Sequence, residues 1–129
     1  MKKYIIIMSV FLLANISCSE NDKNDCIENK LAYVTSVDSP SSGVINEIIN
    51  IEVNFGVSNG CGQFGEFIET ENRNVKIIEV KARYEGCVCT QDAPIRTVNY
   101  EFATQTSGDY ELRFKSNDTD YITVNLLIE

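Results

Sequence analysis

The sequence contains no histidine and no tryptophan, and its basic residues are few beside its acidic ones. Without histidine the chain has no Ser-His-Asp triad, no Cys-His dyad and no metal site built from imidazole. Lys and Arg total 11 against 19 Asp and Glu, which gives a net charge of -8 and a pI near 4.5. Such a chain lacks the basic surface that nucleic-acid phosphates require, so we expect no nucleic-acid partner.

Sequence patterns typical of catalysis are also missing. The chain has no glycine-rich phosphate loop and no nucleophile elbow, and most carboxylates fall at the polar positions of alternating segments. Asn117 to Asp120 collects two acids, but the spacing is not that of a calcium loop and is typical of a turn. We therefore expect no catalytic residue, no metal site and no cofactor, and predict that the protein is not an enzyme.

The first seventeen residues have the pattern of an export signal. Lys2 and Lys3 precede an apolar run over residues 4–17, which is shorter than the roughly 20 residues of a transmembrane helix. Cys18 follows the run directly, and this arrangement resembles a bacterial lipoprotein signal, although Asn15 stands where strong signals have leucine. The resemblance implies that Cys18 is lipidated and becomes the mature N-terminus. Plain secretion, with Cys18 an ordinary thiol, is the alternative.

Residues 18–29 are polar and acidic, and they predict a flexible tether. The stretch resembles the surface-export signals of Bacteroidetes lipoproteins, and the Ile- and Asn-rich usage of the chain is similar to flavobacterial proteins. This resemblance implies an outer-membrane lipoprotein, on the cell surface rather than the periplasmic face; a linker without a sorting role is the alternative. Removing residues 1–17 takes two of the 11 basic residues and no acid, which leaves a net charge of -10. Acyl chains, and not charge, would then hold the protein to the membrane.

The remaining chain alternates apolar and polar residues with a period of two, and no stretch keeps a helical period. Turn residues separate the alternating segments. Strands are predicted at residues 31–37, 49–57, 64–70, 78–84, 98–102, 110–115 and 122–128. The third of these is the weakest, because Gly65 and Glu66 interrupt the alternation. About seven short antiparallel strands predict an all-β sandwich over residues 30–129, after a signal peptide (1–17) and a tether (18–29).

The segment from Ser107 to Leu112, Ser-Gly-Asp-Tyr-Glu-Leu, resembles the entry to strand F of immunoglobulin-like domains. In those domains a tyrosine follows a tight turn and its hydroxyl bonds to the backbone at the corner. The resemblance implies an immunoglobulin-like or fibronectin-like sandwich in which Tyr110 forms this corner. Antibody-type domains are excluded, because they have cysteine at the place of Leu112 and a tryptophan in the core. The alternative is that Tyr110 is an ordinary core aromatic.

Four cysteines follow Cys18, namely Cys26, Cys61, Cys87 and Cys89, and in an exported chain they predict two disulfides. If the strands alternate in direction, all four thiols fall at one end of the sandwich. Cys87 and Cys89 share a face of an extended chain, and a bond between them would close a small ring. We therefore expect Cys61 to pair with one of them and Cys26 with the other, and both arrangements stay open. A zinc site and a redox pair are weaker alternatives, because the cysteines are scattered and acids lie nearby.

Residues 59–67 hold three glycines and two phenylalanines in the least regular part of the chain. Aromatic side chains on a stiffened loop often bind partners, so Phe64 and Phe67 are candidates for partner contact. The alternative is that both rings turn inward and seal one end of the sandwich. Together these features predict a membrane-anchored envelope lipoprotein that serves as a non-catalytic binding module for an unidentified protein or glycan. A structural or accessory subunit of an envelope complex is the second hypothesis.

Overall fold

The computed structural model describes residues 26–129, and this region consists of nine β-strands in two sheets. The strands are β1 (Ile27–Ala32), β2 (Val34–Asp38), β3 (Ser42–Gly43), β4 (Ile49–Gly56), β5 (Gly62–Asn72), β6 (Val75–Glu85), β7 (Ile95–Phe102), β8 (Gly108–Lys115) and β9 (Tyr121–Ile128). Within residues 26–129 no helix is long and apolar enough to cross a membrane. The signal peptide and the lipidation site Cys18 lie outside the described residues.

The larger sheet is built around β6, which pairs with β5 over residues 75–84. The other edge of β6 is shared: β1 pairs with residues 80–85 and β8 with residues 75–78, and β9 and then β3 continue beyond β8. The smaller sheet has the order β2-β4-β7. The predicted all-β sandwich is confirmed, with nine strands instead of about seven. Five pairings are antiparallel as expected, whereas β6 with β8 and β3 with β9 are parallel.

The first predicted strand is divided between the two sheets. β1 pairs with β6 in the larger sheet, and after Tyr33 the chain continues as β2, which pairs with β4 in the smaller sheet. The register of β2 shifts between Val34 and Ser36, which marks the irregular backbone after the crossing. β1 begins at Ile27, three residues before the predicted start of the sandwich at residue 30. Residues 27–29 are therefore part of the sheet, because they pair with residues 83–85 of β6.

The core lies between the inner faces of the two sheets, and the period-two pattern predicts its members correctly. Ile51, Val53 and Phe55 of β4 are fully buried, and their neighbours Asn50 and Glu52 are exposed. The same alternation buries Leu112 and Phe114 in β8, and Leu126 and Ile128 in β9. Among the described residues no buried side-chain polar atom lacks a hydrogen-bond partner.

The predicted tyrosine corner is confirmed. The hydroxyl of Tyr110 donates a hydrogen bond to the carbonyl oxygen of Thr106 at 2.7 Å, and its ring packs against Phe102 with 5.3 Å between centroids. Gly108, between the two hydrogen-bonded residues, has a φ of 142°, a value that side chains rarely allow. The corner therefore fixes the loop between β7 and β8.

Replacing Tyr110 with phenylalanine should lower the free energy of unfolding by about 1–2 kcal/mol. The change keeps the ring but removes this hydrogen bond and a second one, between the hydroxyls of Tyr110 and Thr104 at 2.9 Å. Urea unfolding followed by far-UV circular dichroism would measure the loss. Tyr121→Phe is the matched control, since the Tyr121 hydroxyl has no hydrogen bond within residues 26–129. Equal stability of the two variants would contradict a stabilising role for the corner.

Candidate functional site

All four described cysteines lie at the end of the sandwich where β1 begins. They form two disulfides, Cys26–Cys87 and Cys61–Cys89, with Cα–Cα distances of 4.9 and 5.4 Å. The predicted grouping at one end is confirmed, and the pairing that the sequence leaves open is resolved. Val88, which lies between Cys87 and Cys89, is 94% exposed. Whatever precedes Cys26 joins the sandwich at this disulfide end.

One edge of the smaller sheet is free of any other described strand. Among the strands of residues 26–129, β7 is the last of this sheet and pairs only with β4. The amide of Val57 donates to the carbonyl of Pro94 at 3.1 Å, whereas the amide of Gly56 points the other way, to Tyr33. Backbone groups of an antiparallel pair alternate in direction, so every second residue of β7 faces away from β4. The outward backbone groups belong to Ile95, Thr97, Asn99 and Glu101, and they supply four N–H donors and four carbonyl acceptors.

β7 also lacks three of the features that protect many free edges, namely lysine, proline and a β-bulge. Its eight residues contain no lysine and no proline, and its register with β4 is unbroken. The other edge strands of the described region differ. β1 has six residues, among them Lys30, and β2 has a register shift. β3 has two residues, and β5 has a register shift between Phe64 and Glu66. β7 is therefore the long, regular free edge of the described sandwich.

On this side of the sandwich, β5 is the edge strand of the larger sheet and pairs with β6 alone among the described strands. A β-bulge in β5 places both candidate phenylalanines on one face. Phe64 pairs with Ala82 and Glu66 with Lys81, so Gly65 is an extra residue in a β-bulge. A side chain at Gly65 would put its Cβ 2.8 Å from the Lys81 carbonyl oxygen, which explains why glycine suits this position. The bulge shifts the alternation, so Phe64 and Phe67 both face the core. The interrupted pattern at Gly65 and Glu66 is therefore a bulge within one long strand.

We use the name open flank for the side of the sandwich where β5, an edge strand of the larger sheet, lies near β7, an edge strand of the smaller sheet. A run of aromatic rings crosses it, from Phe55 to Phe64, Phe67 and Tyr100, with centroid separations of 6.1, 4.7 and 5.0 Å. Phe64 and Phe67 are half-buried and pack against the core, as does Val98 of β7. The structure thus places both candidates at the rim of the core. Their role in partner contact stays a prediction.

Polar side chains link the two strands across the open flank. The Tyr100 hydroxyl donates a hydrogen bond to the Glu69 carboxylate. Burial, and then this hydrogen bond, raises the pKa of Tyr100 above the usual range of tyrosine, so the phenol stays protonated and keeps donating. The Arg96 guanidinium donates to the carbonyl oxygens of Gly62 and Gly60 at 2.9 and 3.1 Å. These bonds fix the position of β7 relative to β5.

The outer face of the smaller sheet carries acids and amides. Asn99 donates to the side-chain oxygen of Asn50 at 2.9 Å, and Asn54 donates to Ser36 at 2.8 Å. The acids of this face are Asp38, Glu52 and Glu101, and β2 and β4 contain no lysine or arginine. The single cation of β7, Arg96, is engaged by Gly60 and Gly62. The face next to the free edge is therefore negatively charged.

The outer face of the larger sheet is different, because its cations are paired with acids. Lys115 lies 3.0 Å from Glu79, and Lys81 lies 3.2 Å from Glu66. A shallow groove of about 560 Å³ on this sheet is lined by residues that include Asn74, Asp109 and Leu127. Within residues 26–129 no group of three or more His, Cys, Asp or Glu side chains is arranged to hold a metal ion.

The free edge is not evident from the sequence. The alternating pattern predicts a strand at residues 98–102, whereas β7 begins at Ile95, and no local pattern says which strands have one neighbour. The composition of this segment points away from an edge, because Ile95 to Phe102 has no lysine and no proline and exposed edges usually carry such residues.

Residues 51–126 match the model of a protein family described as the ORF11 beta-sandwich domain. The match extends from β4 to β9 and includes β7 and the Cys61–Cys89 disulfide. No curated protein and no solved structure shows a significant match to the chain. Because the matched segment covers 76 of the 129 residues, the chain belongs to the ORF11 beta-sandwich domain family.

Proposed function

We propose that this protein is a membrane-anchored lipoprotein of the bacterial envelope that acts as a non-catalytic binding module through the open flank. The observation that carries this proposal is the edge of β7, whose backbone donors and acceptors have no partner within residues 26–129 and lie beside a half-buried aromatic rim. Backbone groups of this kind are a common means of binding another chain. They favour a protein partner over a glycan.

The way the chain enters the sandwich supports the anchored arrangement. Cys26 is bonded to Cys87 at the disulfide end, and seven residues separate it from Cys18. A chain of eight peptide steps spans at most about 28 Å. With Cys18 lipidated, the disulfide end would therefore stay close to the membrane. β7 begins at that end and runs away from it, so the open flank would be accessible along its length.

Replacing Cys18 with serine should release the protein from the membrane, because the acyl chains provide the attachment and the net charge of the mature chain does not. Fractionation of cells followed by blotting would measure the distribution. Ser17→Ala is the matched control, because it keeps both the small side chain before the cysteine and the thiol. Retention of the Cys18→Ser protein in the membrane fraction would overturn the lipid anchor.

The outer-membrane location, with the sandwich on the cell surface, belongs to the same proposal. Protease treatment of intact cells tests it, because a surface sandwich is accessible to protease and a periplasmic one is accessible only after the outer membrane is permeabilised. The accessory-subunit hypothesis makes a different prediction. In that case the protein should co-purify with an envelope complex in a fixed ratio, since a free strand edge serves permanent assembly as well as reversible binding.

A further inference from the structure

We propose that β7 binds its partner by taking up an extended segment as a fourth strand of the smaller sheet, and that this segment alternates basic and apolar residues. The inference rests on the proposed binding function and specifies the chemistry of the partner. It follows from the direction of the backbone groups, the charge of the outer face and the half-buried rim of the core.

The backbone of β7 provides the attachment. Ile95, Thr97, Asn99 and Glu101 direct their N–H and C=O groups away from β4, and no hydrogen bond to another described backbone group uses them. An added strand would pair with these four residues and continue the ladder of the sheet. The unbroken register of eight residues means that the added strand meets no bulge.

The outer face of the smaller sheet selects the charge of the partner. Side chains directly opposite Thr97, Asn99 and Glu101 would extend this face, which holds three acids and has no free cation among its described strands. A lysine or arginine opposite Glu101 would form a favourable cross-strand pair. The face already carries one unfavourable pair, because Asp38 lies opposite Glu52. Positive charge on the added strand therefore complements this face, and negative charge opposes it.

The alternate residues of the added strand would point toward the core side. On that side β7 presents half-buried Val98, and β5 presents half-buried Phe67 across the open flank. Apolar side chains would cover these groups and remove them from water. The required pattern is therefore basic toward the outer face and apolar toward the core, with a period of two.

A second copy of this chain fits the site poorly. Pairing β7 with β7 would bring Ile95, Thr97, Asn99 and Glu101 of one copy beside the same residues of the other, and none of them is basic. The net charge of -8 also opposes association of two copies. Self-association is therefore an outcome that would contradict the proposal.

The test uses the full chain, purified in detergent, and synthetic peptides as long as β7. One peptide alternates lysine and valine, a second alternates glutamate and valine, and a third has lysines and valines in two blocks. We expect the alternating lysine peptide to bind at least tenfold more tightly than either control in a fluorescence anisotropy titration. Equal binding of the three peptides, or binding of none, would overturn the proposal.

Two variants locate the binding site. Asn99→Pro removes an N–H group that faces away from β4, and it should weaken binding of the lysine peptide by about tenfold. Asn99→Ala is the matched control, since it removes the side chain and keeps the N–H group. Glu101→Lys changes an exposed side chain and introduces no proline into the strand. It should reduce the preference for the lysine peptide by about fivefold. Unchanged binding in both Asn99→Pro and Glu101→Lys would place the site elsewhere.

The outcomes separate this inference from the broader function. Dimers of the chain that Asn99→Pro abolishes would show that the occupant is a second copy and would overturn the basic partner. A partner captured from cells by wild-type protein and by Asn99→Pro equally would overturn the strand site and leave the binding function intact. Loss of anchoring in Cys18→Ser is measured without any peptide, so it reports on the proposed function alone.

Discussion

Replacing Cys26 and Cys87 together with serine should lower the free energy of unfolding by about 4 kcal/mol. The bond joins residues 61 apart, and closure of a loop of that length restricts the unfolded chain strongly. A domain of this size is stable by about 5–15 kcal/mol, so this loss is a large part of the total. Urea unfolding followed by far-UV circular dichroism would give the difference, and the double replacement leaves no unpaired thiol at this site.

The Cys61–Cys89 bond provides the internal comparison. It joins residues 28 apart, and the same loop relation gives about 3.6 kcal/mol for its removal. The Cys26→Ser/Cys87→Ser and Cys61→Ser/Cys89→Ser proteins should therefore have similar free energies of unfolding. They should differ in which part of the sandwich opens locally. Loss of Cys26–Cys87 frees the start of β1, whose amides should exchange hydrogen faster than those of β4. A Cys26→Ser/Cys87→Ser protein as stable as wild type would contradict the stabilising role of this bond.

The period-two pattern predicts much of the fold because each strand has one solvent-exposed face and one buried face. Phe55 and Phe114 are assigned to the core in this way, and both are fully buried. The pattern does not say which strands are neighbours. It does not predict that residues 27–38 divide between two sheets or that β6 and β8 pair in parallel. Both features depend on how β1 and β8 share one edge of β6.

The cysteines show the same limit. The directions of successive strands place all four at one end, and the structure confirms this. The choice between Cys87 and Cys89 as partner of Cys26 does not follow from the strand directions, because these two cysteines are only two residues apart and lie in the same loop. The free edge of β7 was beyond sequence reasoning for a related reason, since an edge is defined by the strand that is missing beside it.

The family match covers only part of the sandwich. It begins at Ile51, so β1, β2 and β3 lie outside it, and Cys26–Cys87 joins a residue outside the matched segment to one inside. The open flank lies inside the match, because β5 and β7 both belong to it. The free edge of β7 thus belongs to the family domain, whereas the connection toward the N-terminus is made by the strands that precede it.

Truncating Phe55 to alanine should lower the free energy of unfolding by about 3–5 kcal/mol, because the ring is fully buried between the sheets. Truncating Phe67 should cost about half as much, since its ring is half-buried at the rim of the same aromatic run. Thermal and urea unfolding of both variants would measure the difference. Equal losses would mean that Phe67 is as much a core residue as Phe55.

The Phe67→Ala variant also decides the role of the half-buried rim. If the core-side residues of an added strand cover Phe67, then Phe67→Ala should weaken binding of the alternating lysine peptide severalfold at a temperature where the variant is fully folded. Thr123→Ala is a control, because Thr123 lies on β9 of the larger sheet and away from the open flank. Weaker binding in Phe67→Ala but not in Thr123→Ala would assign Phe67 to the partner contact predicted from the sequence. A loss of stability without any loss of binding would instead make Phe67 a residue that seals the sandwich.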